Sequence, residues 1–252
     1  MQKKEIFRYI QGKKEKYFDS IVNEHLIKLF INQRESFLFQ TFPLDNDELV
    51  TGFLYSKKII SSIRDIQRSF FNELTNEYHI SIQNGLKINY SSLTTPISRN
   101  INDTTFNKIN DSHSMEEPLI VEKDKIFAFM EEFNSLSDVF DKTGAVHTAA
   151  ISNTSEIKYY YDDIGRHNAI DKCLGKGLID NVKLENKILL VTCRISSGII
   201  SKIINSRIPI IISRAPPTAY AIELGEKFGI TIIGFCRGFR FNVYSHVGRI
   251  QD

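Results

Sequence analysis

Cysteine is scarce in this 252-residue sequence: Cys173, Cys193 and Cys236 are the only three, their number is odd, and no pair stands at C-x-x-C spacing. A disulfide framework is therefore not indicated, and reduced thiols fit a cytoplasmic protein. Charge of one sign is also missing. With 32 basic and 30 acidic side chains the net charge is +2, which removes the bulk electrostatic case for a nucleic-acid partner. No apolar run is long enough to span a bilayer. The opening "MQKKEIFRYIQGKKEKYFDS" breaks every apolar stretch with Lys or Glu, so neither a membrane partner nor a signal peptide is expected. No internal repeat is present.

Catalytic motifs are thin as well. Zinc deaminases carry H-x-E before a helix and a later P-C-x-x-C. Here His147 is followed by Thr148 and Ala149, so no zinc is expected. Ser196 and Ser197 lack the G-x-S-x-G context of a nucleophile elbow.

What is present is enough hydrophobic sequence, 42%, for one large domain or two small ones. Residues 1 to about 90 read as strands with one helix: "HLIKLFI" (25–31), "SFLFQTF" (36–42) and "LKINY" (86–90) as strands, "DNDELVTGFLYSKKII" (45–60) as a helix opened by acidic residues. In residues 91–115, 15 of 25 are Ser, Thr, Asn or Asp. Such side chains compete with the backbone ladder and predict a long polar loop. "KDKIFAFMEEFNSLSDVF" (123–140) predicts an amphipathic helix with Ile126, Phe127, Met130, Phe133 and Leu136 on one side. Beyond it, "KYYY" (158–161), "KILLVT" (187–192), "IPIIIS" (208–213) and "ITIIGF" (230–235) alternate with helical patterns. The last three lack polar alternation, as strands buried on both faces do, which predicts α/β architecture on a mostly parallel sheet. The expected division is a smaller N-terminal α+β domain over 1–115 and a larger one over 116–252.

In an open α/β sheet ligands sit beyond the carboxyl ends of the strands. The four segments that follow these strands are "DDIGRHNAIDK", "CRISSGII", "RAPPTAYAIEL" and "CRGFRFNVYSH", and each holds an arginine: Arg166, Arg194, Arg214 and Arg237. Arginine offers a planar two-donor fork to phosphate, and helix N-termini add free N–H groups. The ordinary role of Ser196, Ser197 or Thr218 at a helix start is to cap it, and of a single turn arginine to form a surface ion pair. Recurrence at four strand ends is what points to a phosphorylated ligand, with Phe239, Phe241 and Tyr244 as a stacking face and Asp162 or Asp163 as acceptors.

Taken together, "TGAVHTAA", "DDIGRHNAIDK", "RISSGII", "SRAPPTA" and "GFCRGFRFNVYSH", in this order over residues 143–246, resemble the FdhD-like formate dehydrogenase accessory sulfurtransferase family. The resemblance implies a three-layer α/β/α sandwich like that of cytidine deaminase without its zinc, a homodimer, and service to formate dehydrogenase. Sulfur would pass from a cysteine desulfurase to molybdopterin guanine dinucleotide, with GDP or GTP as mimics of its nucleotide. It places His147, Asp163, Gly165, Arg166, His167, Asn168, Arg194, Ser196, Ser197, Arg214, Thr218, Arg237 and Phe241 in or near the cofactor site.

The same resemblance implies a sulfur-carrying C-x-x-C in a loop before the amphipathic helix. Loop 91–115 holds that place and contains no cysteine. A thiolate is the agent of persulfide relay, so the remaining candidate carrier is Cys236 beside Arg237, against the ordinary reading of Cys236 as a buried small residue. The alternative is a cofactor-binding chaperone without sulfurtransferase chemistry.

Overall fold

The computed structural model describes residues 1–83, 88, 90, 93 and 119–252. The expected strand 86–90 and polar loop 91–115 fall almost wholly outside the described residues.

The chain opens with a hairpin, Gln2–Ile10 (β1) and Lys13–Ile21 (β2), paired antiparallel as a sheet of its own. Gln11 and Gly12 both have positive φ, 50° and 79°. That primed two-residue turn follows the right-handed strand twist. A second sheet has the order β4-β3-β6-β5, from His25–Ile31 (β3), Arg34–Thr41 (β4), Ile66–Asn72 (β5) and Glu77–Ile82 (β6). Its inner face is set by the two-residue period of the strands: Ile27, Leu29 and Ile31 join Phe39, Tyr78, Ile80 and Ile82 in one core. Helix Asn46–Ser56 (α1) covers it with Leu49, Val50, Phe53 and Leu54.

Next come Val121–Glu122 (β7), Lys123–Asn134 (α2) and Asp138–Thr143 (α3). The single helix expected over 123–140 is thus two. Ser137 breaks it, its hydroxyl accepting the Phe140 N–H as a new N-cap. Phe129, not Phe127, fills the core with Ile126, Met130 and Phe133.

The large sheet is built from His147–Ser152 (β8), Ile157–Asp163 (β9), Ile188–Val191 (β10), Ile210–Ser213 (β11), Thr231–Arg237 (β12) and Arg240–Ser245 (β13), in the order β13-β12-β11-β10-β8-β9. The pairings β10-β11 and β11-β12 are parallel; the other three are antiparallel. The sheet is therefore mixed rather than mostly parallel in its pairings. The parallel part coincides with the three apolar runs, joined through helices Ser197–Ser206 (α5) and Ala219–Lys227 (α6). Tight connections produce the antiparallel pairs β8-β9 and β12-β13, which need no crossover. The segment after 230–235, expected as a ligand turn, is itself the β12–β13 hairpin. A parallel pairing of Ile250–Gln251 (β14) with β7 closes the chain.

Both faces of the sheet are covered, which is why its central strands are apolar throughout. Leu189, Val191, Ile211 and Ile232 pack under helix Arg166–Ile179 (α4), α5 and α6. Ile188, Leu190, Ile210, Ile212 and Ile233 pack on α2. The three-layer α/β/α sandwich is present. Helix α1 lies on α4 with backbone almost touching backbone: a Cβ on Gly52 would overlap the Asp171 carbonyl, and one on Gly175 the Glu48 carbonyl. Among the described residues no helix is long and apolar enough to cross a membrane.

Candidate functional site

Sheet order places five cation-capable side chains along one edge. Arg237 ends β12, Arg214 follows β11, Arg194 follows β10, His147 opens the antiparallel β8, and Arg166 follows β9. The turns are laced together. Ile195 N–H donates to Pro216 O at 3.1 Å, Thr218 N–H to Ile195 O at 2.9 Å, and Arg237 Nε to Arg214 O at 2.8 Å. His147 Nδ1 lies 3.4 Å from the Thr192 hydroxyl, at the end of β10.

The charges are felt from one end of this row to the other. Burial lowers the pKa of His147, and Arg166 and Arg214 lower it further. Burial lowers that of Arg214, with Arg237 adding to the effect. His167 is held down to about 3 by burial, then by Lys202, Arg166 and Lys57, and its buried Nδ1 has no hydrogen-bond partner among the described residues. None of the four edge arginines forms an ion pair with a described carboxylate; the arginine ion pairs found are Arg8–Glu15 and Arg207–Glu185. Four guanidiniums on one edge without a described acid partner concentrate positive potential there.

Much of "DDIGRHNAIDK" does something else. Asp163 is fully buried. One of its oxygens accepts from Gly165 N–H at 2.9 Å and Asn168 Nδ2 at 3.0 Å. The other accepts from the Thr41 hydroxyl and from Phe42 N–H at 3.3 Å, and pairs with Lys172 Nζ at 2.8 Å. Asn168 also donates to Gln40 O at 2.8 Å. Asp162 accepts from Ser137 at 2.7 Å and Thr148 at 2.6 Å. Asp163 and the Asn168 amide nitrogen therefore lock the end of β4 to the start of α4; both oxygens of Asp163 and both of Asp162 are engaged within the fold. The density of polar groups in the motif reflects a buried junction, out of which Arg166 emerges while His167 stays largely inside.

Other expected residues sort as follows. Gly165 is the N-cap residue of α4. Thr218 caps α6 by accepting from Ala221 N–H. Ser196 and Ser197 begin α5, and Ser196 makes no side-chain cap bond. Phe241 packs on Phe127 at 5.2 Å on the α2 side of the sheet. Tyr244 packs on the opposite face. Cys236 is buried in the α2 core, and burial raises its thiol pKa to about 11, so the neighbouring Arg237 does not activate it. Cys193 lies in the arginine row, but burial lifts it to about 11 against the pull of Arg166 and Arg194.

Sequence reasoning missed Phe140, whose ring lies 4.9 Å beneath the Arg214 guanidinium. It also missed two buried lysines, Lys172 and Lys202. Lys202 did leave a signal: it stands alone among apolar residues in "SGIISKIINS". Among the described residues no cluster of three or more His, Cys, Asp or Glu is placed to hold a metal ion.

The class defined so far is an α/β/α sandwich with an arginine-lined sheet edge. The chain matches the FdhD/NarQ family over residues 22–251, and it belongs to that family. It is 34% identical over 252 residues to the sulfur carrier protein FdhD of Listeria monocytogenes, covering 97% of each chain. With the protein of the same name from Sulfolobus acidocaldarius it shares 35% over 237 residues, 92% of each. In fold it is similar to the crystal structure of a putative formate dehydrogenase accessory protein from Desulfotalea psychrophila, with TM-score 0.79, 22% identity and 99% coverage of both chains.

Proposed function

We propose that this chain is an accessory protein of formate dehydrogenase that holds the molybdopterin guanine dinucleotide cofactor at the carboxyl edge of its large sheet. The observation that carries this reading is the row Arg237, Arg214, Arg194, Arg166 without a described carboxylate partner. A cofactor with a pyrophosphate and a nucleotide supplies the missing negative charge. Arg214 and Arg166 grip phosphate oxygens, and His167, kept neutral, offers an imidazole to the same ligand. Membership of the family, with relatives named as sulfur carriers and as an accessory protein, supports the biological setting. A homodimer and a meeting with cysteine desulfurase belong to the same reading.

The test uses GDP as the probe. Arg166→Ala and Arg214→Ala are each expected to weaken its binding about 10- to 100-fold, the effect of losing one charge-assisted contact of ~1.5–3 kcal/mol, with an unchanged thermal midpoint. Equal affinity in both variants would defeat the assignment. A second reading rests on Cys193, the cysteine that lies in the arginine row: sulfur carried by this chain would pass through that thiol.

A further inference from the structure

Among the described residues the β1–β2 hairpin pairs with no third strand, and β2 touches helix α3. Such a hairpin is marginal in water by itself. Directly opposed residues share a face, so the pairs Glu5↔Phe18, Phe7↔Lys16 and Tyr9↔Lys14 put Phe7, Tyr9 and Phe18 on one side. These three are 57%, 68% and 62% exposed. Grouped aromatic exposure of this kind marks a contact surface.

Charge narrows what the surface contacts. Residues 1–21 carry six Lys or Arg against three Asp or Glu, while the other 231 residues carry 26 against 27. The positive charge of the chain is thus concentrated in the hairpin. Glu5 and Glu15 are tied up with Lys16 and Arg8, and Lys3, Lys4 and Lys13 form no described ion pair. The hairpin also lies before the family-matched region, which begins at residue 22.

We propose that the β1–β2 hairpin docks an acidic, extended segment of a partner protein, which adds as a strand to one open edge and lays apolar side chains on Phe7, Tyr9 and Phe18. Strand addition satisfies the bare backbone groups, and the lysines select an acidic strand. A second copy of the chain is the wrong occupant, because like-charged hairpins repel and edge lysines oppose self-pairing. Nucleic acid fits poorly too. On the aromatic face Lys14 lies 4.1 Å over the Phe7 ring, and on the opposite face Arg8 lies 3.8 Å over Tyr17, so neither of these rings is free to stack on a base.

The experiment uses the full chain and a short fluorescent peptide alternating glutamate and valine, with its alternately N-methylated twin, which cannot pair as a strand. The variant Lys3→Glu/Lys13→Glu reverses charges opposite Ser20 and Ile10, uncharged residues, and leaves Lys14 over the Phe7 ring, so the ladder is not penalised; retained GDP binding and circular dichroism report its fold. The peptide is expected to bind, about tenfold or more weakly to the variant and in high salt, and the twin about tenfold more weakly than the peptide. No binding of the peptide, equal binding of peptide and twin, or equal affinity of variant and parent would overturn the proposal. So would a dimer by sedimentation that the variant abolishes, or tighter binding of poly(U) than of the peptide.

Discussion

Asp171 and Lys202 form an ion pair sealed inside the protein, Lys202 Nζ lying 2.7 Å from both carboxylate oxygens with side chains 2% and 3% exposed. Ser56 of α1 donates to the same carboxylate at 2.8 Å and accepts from Lys202 at 3.1 Å. One buried pair therefore binds α1, α4 and α5, the helices that join the small sheet to the large one.

Removing one partner leaves an uncompensated charge in the interior. Lys202→Met is expected to destabilise the protein by ~3–5 kcal/mol, whereas Asp171→Leu/Lys202→Met recovers much of that loss because no charge remains to be buried. Urea unfolding of the two variants checks this. A double variant no more stable than Lys202→Met would show that the pair contributes more than the relief of buried charge.

The same helix junction allows no added methyl group. Gly52 and Gly175 stand where a Cβ would enter the backbone of the facing helix. Gly175→Ala must push α1 off α4, at a cost of ~3 kcal/mol or more, which lowers the thermal midpoint by roughly 2–4 °C per kcal/mol in a protein of this size. In an isolated helix the same change would stabilise, so the sign of the measured shift decides between packing and propensity.

His167 gives the stability a pH dependence of known sign. Its folded pKa is depressed to about 3, chiefly by burial, so between that value and its ordinary pKa near 6.5 the unfolded chain binds the extra proton. Stability falls as pH drops through this window, by at most ~1.4 kcal/mol per pH unit from this group. Parallel urea titrations of the parent and His167→Gln isolate the contribution. The parent should lose more stability than the variant between pH 6 and pH 4, and equal slopes would place the acid sensitivity elsewhere.

Much of the large sheet was legible because burial on both faces writes itself as unbroken apolar runs, as in "KILLVT" and "IPIIIS". Strand direction was less legible, since the antiparallel pairs β8-β9 and β12-β13 are set by the short connections within them, residues 153–156 and 238–239, rather than by the apolar pattern of the strands. The break in the helix at Ser137 was hidden because the apolar spacing continues across it through Leu136. Arginines after successive strands signalled the edge correctly as a row. Polar residues of one motif could not be divided by sequence into those facing a ligand and those facing the fold: Asp163 and Asn168 turn inward because Gln40, Thr41 and Phe42, more than 120 positions away, supply their partners.

Phe140 illustrates a site residue without a sequence signature. Its ring supports the Arg214 guanidinium, and its backbone N–H is fixed by Ser137, which in turn donates to Asp162. Phe140→Leu keeps an apolar side chain, though a smaller one, and removes the ring face. A cation–π contact at such a half-exposed place is worth ~0.5–1 kcal/mol, so GDP affinity is expected to fall roughly two- to fivefold, less than for Arg214→Ala. In the Arg214→Ala background the substitution should change nothing, and an additive effect would mean that Phe140 acts on the ligand by another route.

All three cysteines of the chain are buried, and burial raises every thiol pKa, those of Cys193 and Cys236 to about 11. At neutral pH a thiol of that kind is thiolate in roughly one molecule in ten thousand, and it is closed to a bulky donor. Native alkylation should therefore be slow at all three positions and become complete only on unfolding. Incubation with a cysteine desulfurase and sulfur-labelled cysteine should leave the folded chain without a reductant-labile sulfur. Label on Cys193 would mean that the arginine row opens enough to bring the thiol into play, and would make sulfur transfer and cofactor binding functions of one site. With no label and GDP still bound, the chain would hold the cofactor while its own thiols take no part in the sulfur step.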